Sequence, residues 1–117
     1  VVGIVDVRER DRAQSGAIEG ARRIPLSLLL GRMVALYCDE LKRCDEIVMF
    51  CEDGTVFAPA GARALIAEFE ERYPKSKVRV FVLEGGFLGF YRAFGRKPWL
   101  FKDLQTDLLP NLEEDER

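Results

Sequence analysis

Apolar residues cluster in three short runs, Ile4–Val7, Glu46–Cys51 and Val78–Leu83, and each run is rich in residues that favour strands. The middle run is apolar on successive residues rather than on alternate ones, which is typical of a strand covered on both faces. Segments with helical spacing separate the runs. This alternation predicts crossover units around a mainly parallel sheet, so the fold class is α/β.

Two longer segments predict amphipathic helices. Leu26–Arg43 carries apolar side chains at helical spacing, and these are Leu29, Met33, Leu36, Tyr37 and Leu41. A second helix starts near Ala58-Pro59, where proline suits the first turn, and ends at Tyr73-Pro74. We expect Gly61 to let this helix pack closely against its neighbours. Its apolar stripe consists of Ala62, Leu65, Ile66 and Phe69.

The last third of the chain predicts three further features. Gly85-Gly86 indicates a tight turn into a short aromatic helix, Phe87–Phe94. Another helix is predicted over Phe101–Leu109, and the acidic end Glu113–Arg117 is expected to be solvated and frayed. We interpret the aromatic residues of this region as core and C-terminal packing, and these are Phe87, Phe90, Tyr91, Phe94 and Trp99.

A cysteine ends the middle strand and begins a seven-residue loop, Cys51–Phe57, which leads into the second helix. Ligands of open α/β sheets bind at the carboxyl ends of the strands, where this thiol is expected to lie. Backbone N–H groups of such a loop and of the following helical turn converge on one spot, which favours an anion and the thiolate form of a cysteine. Cys51 is therefore the candidate nucleophile. The predicted anion-binding loop consists of Glu52, Asp53, Gly54, Thr55, Val56 and Phe57.

Composition narrows the function classes. The 117 residues are 48% hydrophobic, which suits one core and predicts a single domain over residues 1–117. The net charge is −2 and the basic residues are scattered, so we expect no nucleic-acid partner. The longest apolar stretch, Ile24–Cys38, is interrupted and shorter than the ~20 residues that a membrane helix needs, so no membrane association is expected.

The three cysteines are too few for a disulfide scaffold, and their odd number indicates reduced thiols in the cytoplasm or the nucleus. Cys38 and Cys44 show no metal-ligand spacing, and we expect both to be structural. The sequence contains no histidine, which excludes a Cys/His zinc site and a Cys-His catalytic pair. No metal or cofactor is predicted. The chain opens on Val1 without a methionine, so we expect it to be a fragment.

Four features follow one another as in a rhodanese-like domain: Asp6-Val7-Arg8, Gly16–Ala21 leading to Ile24-Pro25, the Cys51 loop, and Leu83–Phe87. The resemblance is strongest over residues 4–94 and leaves residues 98–117 as a C-terminal extension. It implies three α/β/α layers around a mainly parallel central sheet. It also implies that Asp6 and Arg8 brace the end of the sheet in support of the site.

The loop resembles one branch of this superfamily. Sulfurtransferases carry a loop one residue shorter, whereas cell-division-cycle phosphatases and eukaryotic arsenate reductases have a cysteine, five residues and an arginine. The run Val56–Ala62 is similar to the Val-Arg-Ala-Pro-x-Gly-Ala pattern of those arsenate reductases, with Phe57 in place of the arginine.

Further positions depart from the active members of that branch. Phe50 stands where they have histidine, Val7 where the phosphatases hold a second, protective cysteine, and Ala17 where the family has a structural histidine. Arg63 is the alternative cation that we consider for the lost arginine, but it lies about 9 Å further along an ideal helix and would have to reach back more than one turn.

These substitutions predict a domain of impaired catalysis that serves as a binding or regulatory module. Its expected ligand is a phosphoprotein, another oxyanion or a protein partner. The alternative is an active enzyme that uses Cys51 as a tyrosine or dual-specificity phosphatase, an arsenate reductase or a sulfurtransferase. A third possibility is that Phe57 is an engineered change in an active enzyme. Against all three stands the interpretation of Cys51 as a small apolar residue that ends a buried strand.

Overall fold

A computed structural model describes residues 1–112 of the chain. Four parallel strands form the central sheet in the order β3-β1-β4-β5, and a separate antiparallel pair joins β2 to β6. The strands are β1 (Val2–Asp6), β2 (Ala17–Ile18), β3 (Arg22–Arg23), β4 (Glu46–Phe50), β5 (Arg79–Val82) and β6 (Phe101–Lys102). The helices are α1 (Leu26–Leu29), α2 (Val34–Leu41), α3 (Phe57–Arg72) and α4 (Gly86–Phe94).

The predicted fold class is confirmed, because the three predicted strands correspond to β1, β4 and β5 and all of them pair in parallel. Side chains on the two faces of the sheet enter two different cores. Val5 and Met49 belong to the core that includes residues of α1, α2 and α3, whereas Phe50 belongs to the core of α4 and β6. Burial on both faces explains why β4 is apolar on successive residues.

The single helix predicted over Leu26–Arg43 is wrong, because the structure forms α1 and α2 with a break at residues 30–33. Gly31 lies in the break, and a glycine inside a helix costs roughly 1 kcal/mol relative to alanine. The break also changes which side chains face the core. Cys38 is buried, whereas Met33 and Leu36 of the predicted stripe are exposed.

Helix α3 begins and ends close to the predicted residues. A side chain at Gly61 would place its Cβ 3.4 Å from atoms of Val7, Leu29 and Met49, so the expected close packing is confirmed. The predicted stripe is buried except for Ile66, which is 37% exposed. The buried face of α3 consists of Ala58, Gly61, Ala62, Leu65 and Phe69.

The predicted turn and aromatic helix are confirmed by Gly85 and Gly86, with φ of 78° and 60°, and by α4. The helix predicted over Phe101–Leu109 is wrong. Phe101 pairs with Ile18 as a strand, Asp103 has a φ of 54°, and only Thr106–Leu108 forms a short 3₁₀ turn. The physical reason is that the Phe101 ring packs against aromatic rings of α4. This tertiary packing outweighs the local helical propensity of the segment.

Trp99 is 69% exposed, so its assignment to the core is also wrong. Phe87 and Tyr91 are buried as predicted, Phe90 is partly buried, and Phe94 is 39% exposed. The predicted solvated end, Glu113–Arg117, lies outside the described residues. Among residues 1–112, no helix is long and apolar enough to cross a membrane.

Gly86 is the glycine at which a side chain is least tolerated. Its φ is positive, and an added Cβ would lie 2.5 Å from the Cys51 carbonyl oxygen. We expect Gly86→Ala to lower the free energy of unfolding by at least ~2 kcal/mol, because backbone strain and this clash act together. Urea denaturation followed by circular dichroism measures the loss.

Two alanine variants serve as controls. Gly20 has a φ of 82° with nothing within 4 Å, so Gly20→Ala reports the backbone strain alone, about 1 kcal/mol. Gly89 lies within α4 and has room for a Cβ, so Gly89→Ala should be neutral or stabilising. Equal losses in Gly86→Ala and Gly20→Ala would show that the contact with the Cys51 loop contributes nothing.

Candidate functional site

The candidate nucleophile lies at the carboxyl edge of the sheet. Cys51 follows β4 directly and is 3% exposed. Its Sγ accepts a hydrogen bond from the backbone N–H of Gly54 at 3.2 Å. The loop spans residues 51–56, since Phe57 is already the first residue of α3. The strand, loop and helix therefore follow one another as the sequence predicts.

Helix α4 holds the loop from the other side. The N–H of Phe87 donates to the Cys51 carbonyl at 2.8 Å, and the N–H of Leu88 donates to the Glu52 carbonyl at 3.0 Å. These donors belong to the first turn of α4, where helical N–H groups lack partners within their own helix. The Gly85-Gly86 turn permits this approach. The sequence predicts the turn but not the contact that it makes with the loop.

Asp6 and Arg8 form a buried ion pair next to the loop. Both side chains are almost fully buried, and the Arg8 Nη2 lies 2.9 Å from the Asp6 Oδ2. The Arg8 Nε donates to the Asp6 Oδ1 at 3.0 Å, and Nη2 also donates to the carbonyl of Gly16 at 2.6 Å. The guanidinium stacks over the rings of Phe87 and Phe50, at 4.3 and 5.4 Å from their centroids. These contacts fix the end of β1 against β4 and α4.

The two acidic residues of the loop already have hydrogen-bond donors. The Glu52 Oε1 accepts from the Arg8 Nη1 at 3.2 Å. The Asp53 Oδ1 accepts from the N–H of Thr55 at 3.1 Å and from its hydroxyl at 2.8 Å. The hydrogen bonds from Thr55, with the side-chain one the stronger, lower the pKa of Asp53. Asp53 is therefore ionised at neutral pH, and its carboxylate occupies both donors of Thr55.

A cavity of about 180 Å³ opens at this loop. Phe57 is 37% exposed and Val56 is 63% exposed. Arg63, the alternative cation considered from the sequence, does not line the cavity. The side chains that do line it are Arg8, Arg12, Cys51, Glu52, Asp53, Thr55, Val56 and Phe57.

Arg12 lines the cavity although it is not among the site residues predicted from the sequence. It belongs to a short 3₁₀ turn, Arg10–Arg12, just after β1. The only local signal was the alternation of basic and acidic residues from Arg8 to Arg12, which is also typical of a solvated surface turn. Its place beside Cys51 depends on the chain returning to the same edge of the sheet some forty residues later.

The other two cysteines lie away from this site. Cys38 is fully buried in the core, and burial raises the pKa of its thiol to about 11. Cys44 packs against the same core, and a Cβ at Gly3 would lie 2.9 Å from its Sγ. Within the described residues, no group of three or more potential ligands is arranged to hold a metal ion.

A profile of the rhodanese-like domain family matches residues 1–93 of this chain. No curated protein shows a significant match to the sequence. Several solved structures are similar. One is a yeast protein tyrosine phosphatase of the Rhodanese family, with a TM-score of 0.73 and 23% identity, in an alignment covering 93% of this chain and 81% of that protein.

A second structure of that protein, from Saccharomyces cerevisiae, is described as a homologue of single-domain rhodanese and of the Cdc25 phosphatase catalytic domain. Its TM-score is 0.74 at 22% identity, with 93% of this chain and 76% of that one covered. The As–Sb reductase from Leishmania major has a TM-score of 0.71 at 24% identity, with 98% and 81% covered. At these identities the likeness shows a shared fold.

The buried ion pair provides a stability prediction. Asp6→Asn should lower the free energy of unfolding by about 3–5 kcal/mol, because it leaves the Arg8 guanidinium buried without a full counter-charge. Glu46→Gln is the control, since it breaks a surface pair in which the Arg79 Nη2 lies 2.5 Å from the Glu46 Oε2. Glu46→Gln should lower the free energy of unfolding by less than ~1 kcal/mol. Similar losses in urea denaturation of the two variants would contradict a central role for the Asp6–Arg8 pair.

The raised pKa of Cys38 predicts a loss of stability in alkali. The unfolded chain releases this thiol proton near its ordinary pKa of 9.0, whereas the folded protein retains it up to about 11. Stability should therefore fall as the pH rises between these values. The test compares the free energies of unfolding of the unaltered protein and of Cys38→Ala across this pH range. The difference between these two free energies should narrow as the pH rises, and a constant difference would contradict the prediction.

Proposed function

Because this chain belongs to the rhodanese-like domain family, we propose that it is a binding or regulatory module with little catalytic activity. Its relatives by fold include a protein tyrosine phosphatase and an As–Sb reductase. The proposed ligand is a phosphoprotein or another molecule that presents an oxyanion to the Cys51 loop.

The observation that carries this proposal is the lack of a free cation within the loop. Phe57 presents a ring to the cavity at the start of α3, and the Asp53 carboxylate holds both donors of Thr55. Transfer of a phosphoryl group, or reduction of arsenate, needs donors and cations aimed at the charge that develops on the oxygens. A phenyl ring supplies neither.

The expected loss of activity is large. Truncating one partner of a buried, hydrogen-bonded charge pair costs about 2–5 kcal/mol, and a missing guanidinium is a comparable loss for a bound oxyanion. By transition-state arithmetic this is roughly a 30-fold to several-thousand-fold reduction in rate. Such a domain could still bind an anion, because binding in the ground state needs fewer stabilising contacts than the transition state.

One observation favours the second candidate, an enzyme that retains Cys51-dependent activity. The N–H of Gly54 donates to the Cys51 Sγ at 3.2 Å, so the sulfur faces a backbone donor of its own loop. A phosphatase, an arsenate reductase or a sulfurtransferase carrying a persulfide on Cys51 would use this sulfur as its nucleophile. The two candidates differ in whether Cys51 is required for turnover.

Free thiols support an intracellular setting for either candidate. Cys38, Cys44 and Cys51 are all unpaired in the structure. Disulfides are rare in the cytosol and the nucleus, where thiols are kept reduced. We propose the cytoplasm or the nucleus as the location on this basis.

Activity assays test the proposal. The unaltered protein and Cys51→Ser should both hydrolyse p-nitrophenyl phosphate and reduce arsenate, in a glutathione-coupled assay, at background rates. Phe57→Arg should raise the rate by roughly 30-fold or more, because it restores the guanidinium at the start of α3.

Two control variants separate the charge from the loss of the ring. Phe57→Ala removes the ring without adding a cation and should stay inactive. Cys51→Ser combined with Phe57→Arg should abolish any gain. If the unaltered protein already turns over substrate at an enzyme-like rate, and Cys51→Ser eliminates that rate, the binding-module proposal fails and the second candidate stands.

A further inference from the structure

A second cavity, of about 450 Å³, lies at the edge of the sheet opposite to Cys51. Two connections form it, one between α2 and β4 and the other between α3 and β5, so it lies where these two parallel strands begin. It shares no lining residue with the cavity at the Cys51 loop. The side chains that line this amino-edge cavity are Lys42, Arg72, Tyr73, Pro74, Lys75 and Ser76.

Basic residues that are scattered along the sequence meet at this edge. Residues 42–45 and 72–78 together contain five basic residues and one acidic residue, in a chain whose net charge is −2. Of the described residues that line the amino-edge cavity, three are basic and none is acidic. A negatively charged ligand would therefore meet cations there without an opposing carboxylate in the lining.

Two of the three lining cations have no partner of opposite charge. Lys42 and Lys75 are exposed, and within residues 1–112 no carboxylate forms an ion pair with either of them. Arg72 differs, because its Nη2 lies 2.9 Å from the Asp39 Oδ1. The two lysines are thus the cations whose charge remains available to a ligand.

The rings of Tyr73 and Pro74 supply the apolar part of the lining. Tyr73 is held in place, because its hydroxyl donates to the Asp39 carboxylate and its ring packs against Phe69 with centroids 6.3 Å apart. The Lys42 Nζ lies 5.2 Å from the centroid of the Tyr73 ring, so a charge and an apolar surface are adjacent. A surface that is ordered before binding loses less conformational entropy when a ligand arrives.

We propose that the amino-edge cavity docks an acidic protein segment in which carboxylates flank an apolar side chain. The carboxylates pair with Lys42 and Lys75, and the apolar side chain packs on Tyr73 and Pro74. A single exposed ion pair contributes at most about 1 kcal/mol to stability, so recognition needs both lysines and the apolar contact together. This docking is independent of the Cys51 loop and adds a second binding surface to the domain.

The test is a fluorescence-anisotropy titration with a labelled peptide, Glu-Glu-Leu-Glu-Glu, at low ionic strength. The unaltered protein should bind this peptide saturably, and the affinity should fall as salt is added, because both lysines are exposed. Lys42→Gln and Lys75→Gln should each weaken the binding about fivefold, the factor expected for one unit-charge pair about 4 Å apart in water. The peptide Glu-Glu-Gly-Glu-Glu should bind more weakly, because it lacks the apolar side chain.

NMR locates the bound peptide. The backbone amide signals of Lys75 and Ser76 should shift during the titration, whereas the signal of Gly54, in the Cys51 loop, should stay unchanged. Shifts at Gly54 without shifts at Lys75 and Ser76 would place the peptide at the Cys51 loop and overturn the inference.

Lys102→Gln is the matched control, since Lys102 is an exposed lysine of β6 that does not line the amino-edge cavity. It removes the same charge and should change the dissociation constant less than twofold. Absence of saturable binding would overturn the inference, and so would equal weakening by Lys102→Gln and by the two lining variants. Tighter binding of an oligothymidylate of equal charge would overturn it in favour of a nucleic-acid ligand.

Discussion

The buried Asp6–Arg8 ion pair is the interaction on which the rest of the site depends. A guanidinium that is 1% exposed would cost several kcal/mol in an apolar interior without a counter-charge and hydrogen-bond acceptors. The acceptors come from separate segments, because Asp6 ends β1, the Gly16 carbonyl lies in the following loop, and Glu52 belongs to the Cys51 loop. Satisfying one buried charge therefore fixes three segments at the edge of the sheet.

The same ion pair connects the Cys51 loop to β1 and limits the positive charge that Arg8 presents to the cavity. Arg8 organises the Cys51 loop through Glu52, but its charge is then shared among protein groups rather than offered to a ligand. The loop is also held by N–H donors of α4 and by its own Asp53–Thr55 contacts. The loop around the Cys51 thiol is therefore well ordered by hydrogen bonds but carries little positive charge.

Phe50 and Phe57, where the sequence predicts a departure from active members of the branch, are not equivalent physically. Phe50 is fully buried, stacks on Phe87 with centroids 6.4 Å apart, and lies under the Arg8 guanidinium. A polar residue there would lose this packing and would have to find hydrogen-bond partners in the second core. Phe57 is partly exposed at the mouth of the cavity, so an arginine at that position needs no rearrangement of the core. Phe50 is therefore part of the core, whereas Phe57 borders the cavity.

By itself the sequence determined β1, β4, β5, α3, α4 and the position of Cys51 after β4, because apolar periodicity, glycines and prolines act over a few residues. Local patterns failed where distant contacts compete with them, as in the break between α1 and α2 and in the strand at Phe101. Only the tertiary structure placed α4 against the loop and Arg12 beside the thiol. The reason is that parallel strands bring segments that are far apart in the chain to one edge of the sheet. A short-range sequence pattern does not predict which side chains meet at that edge.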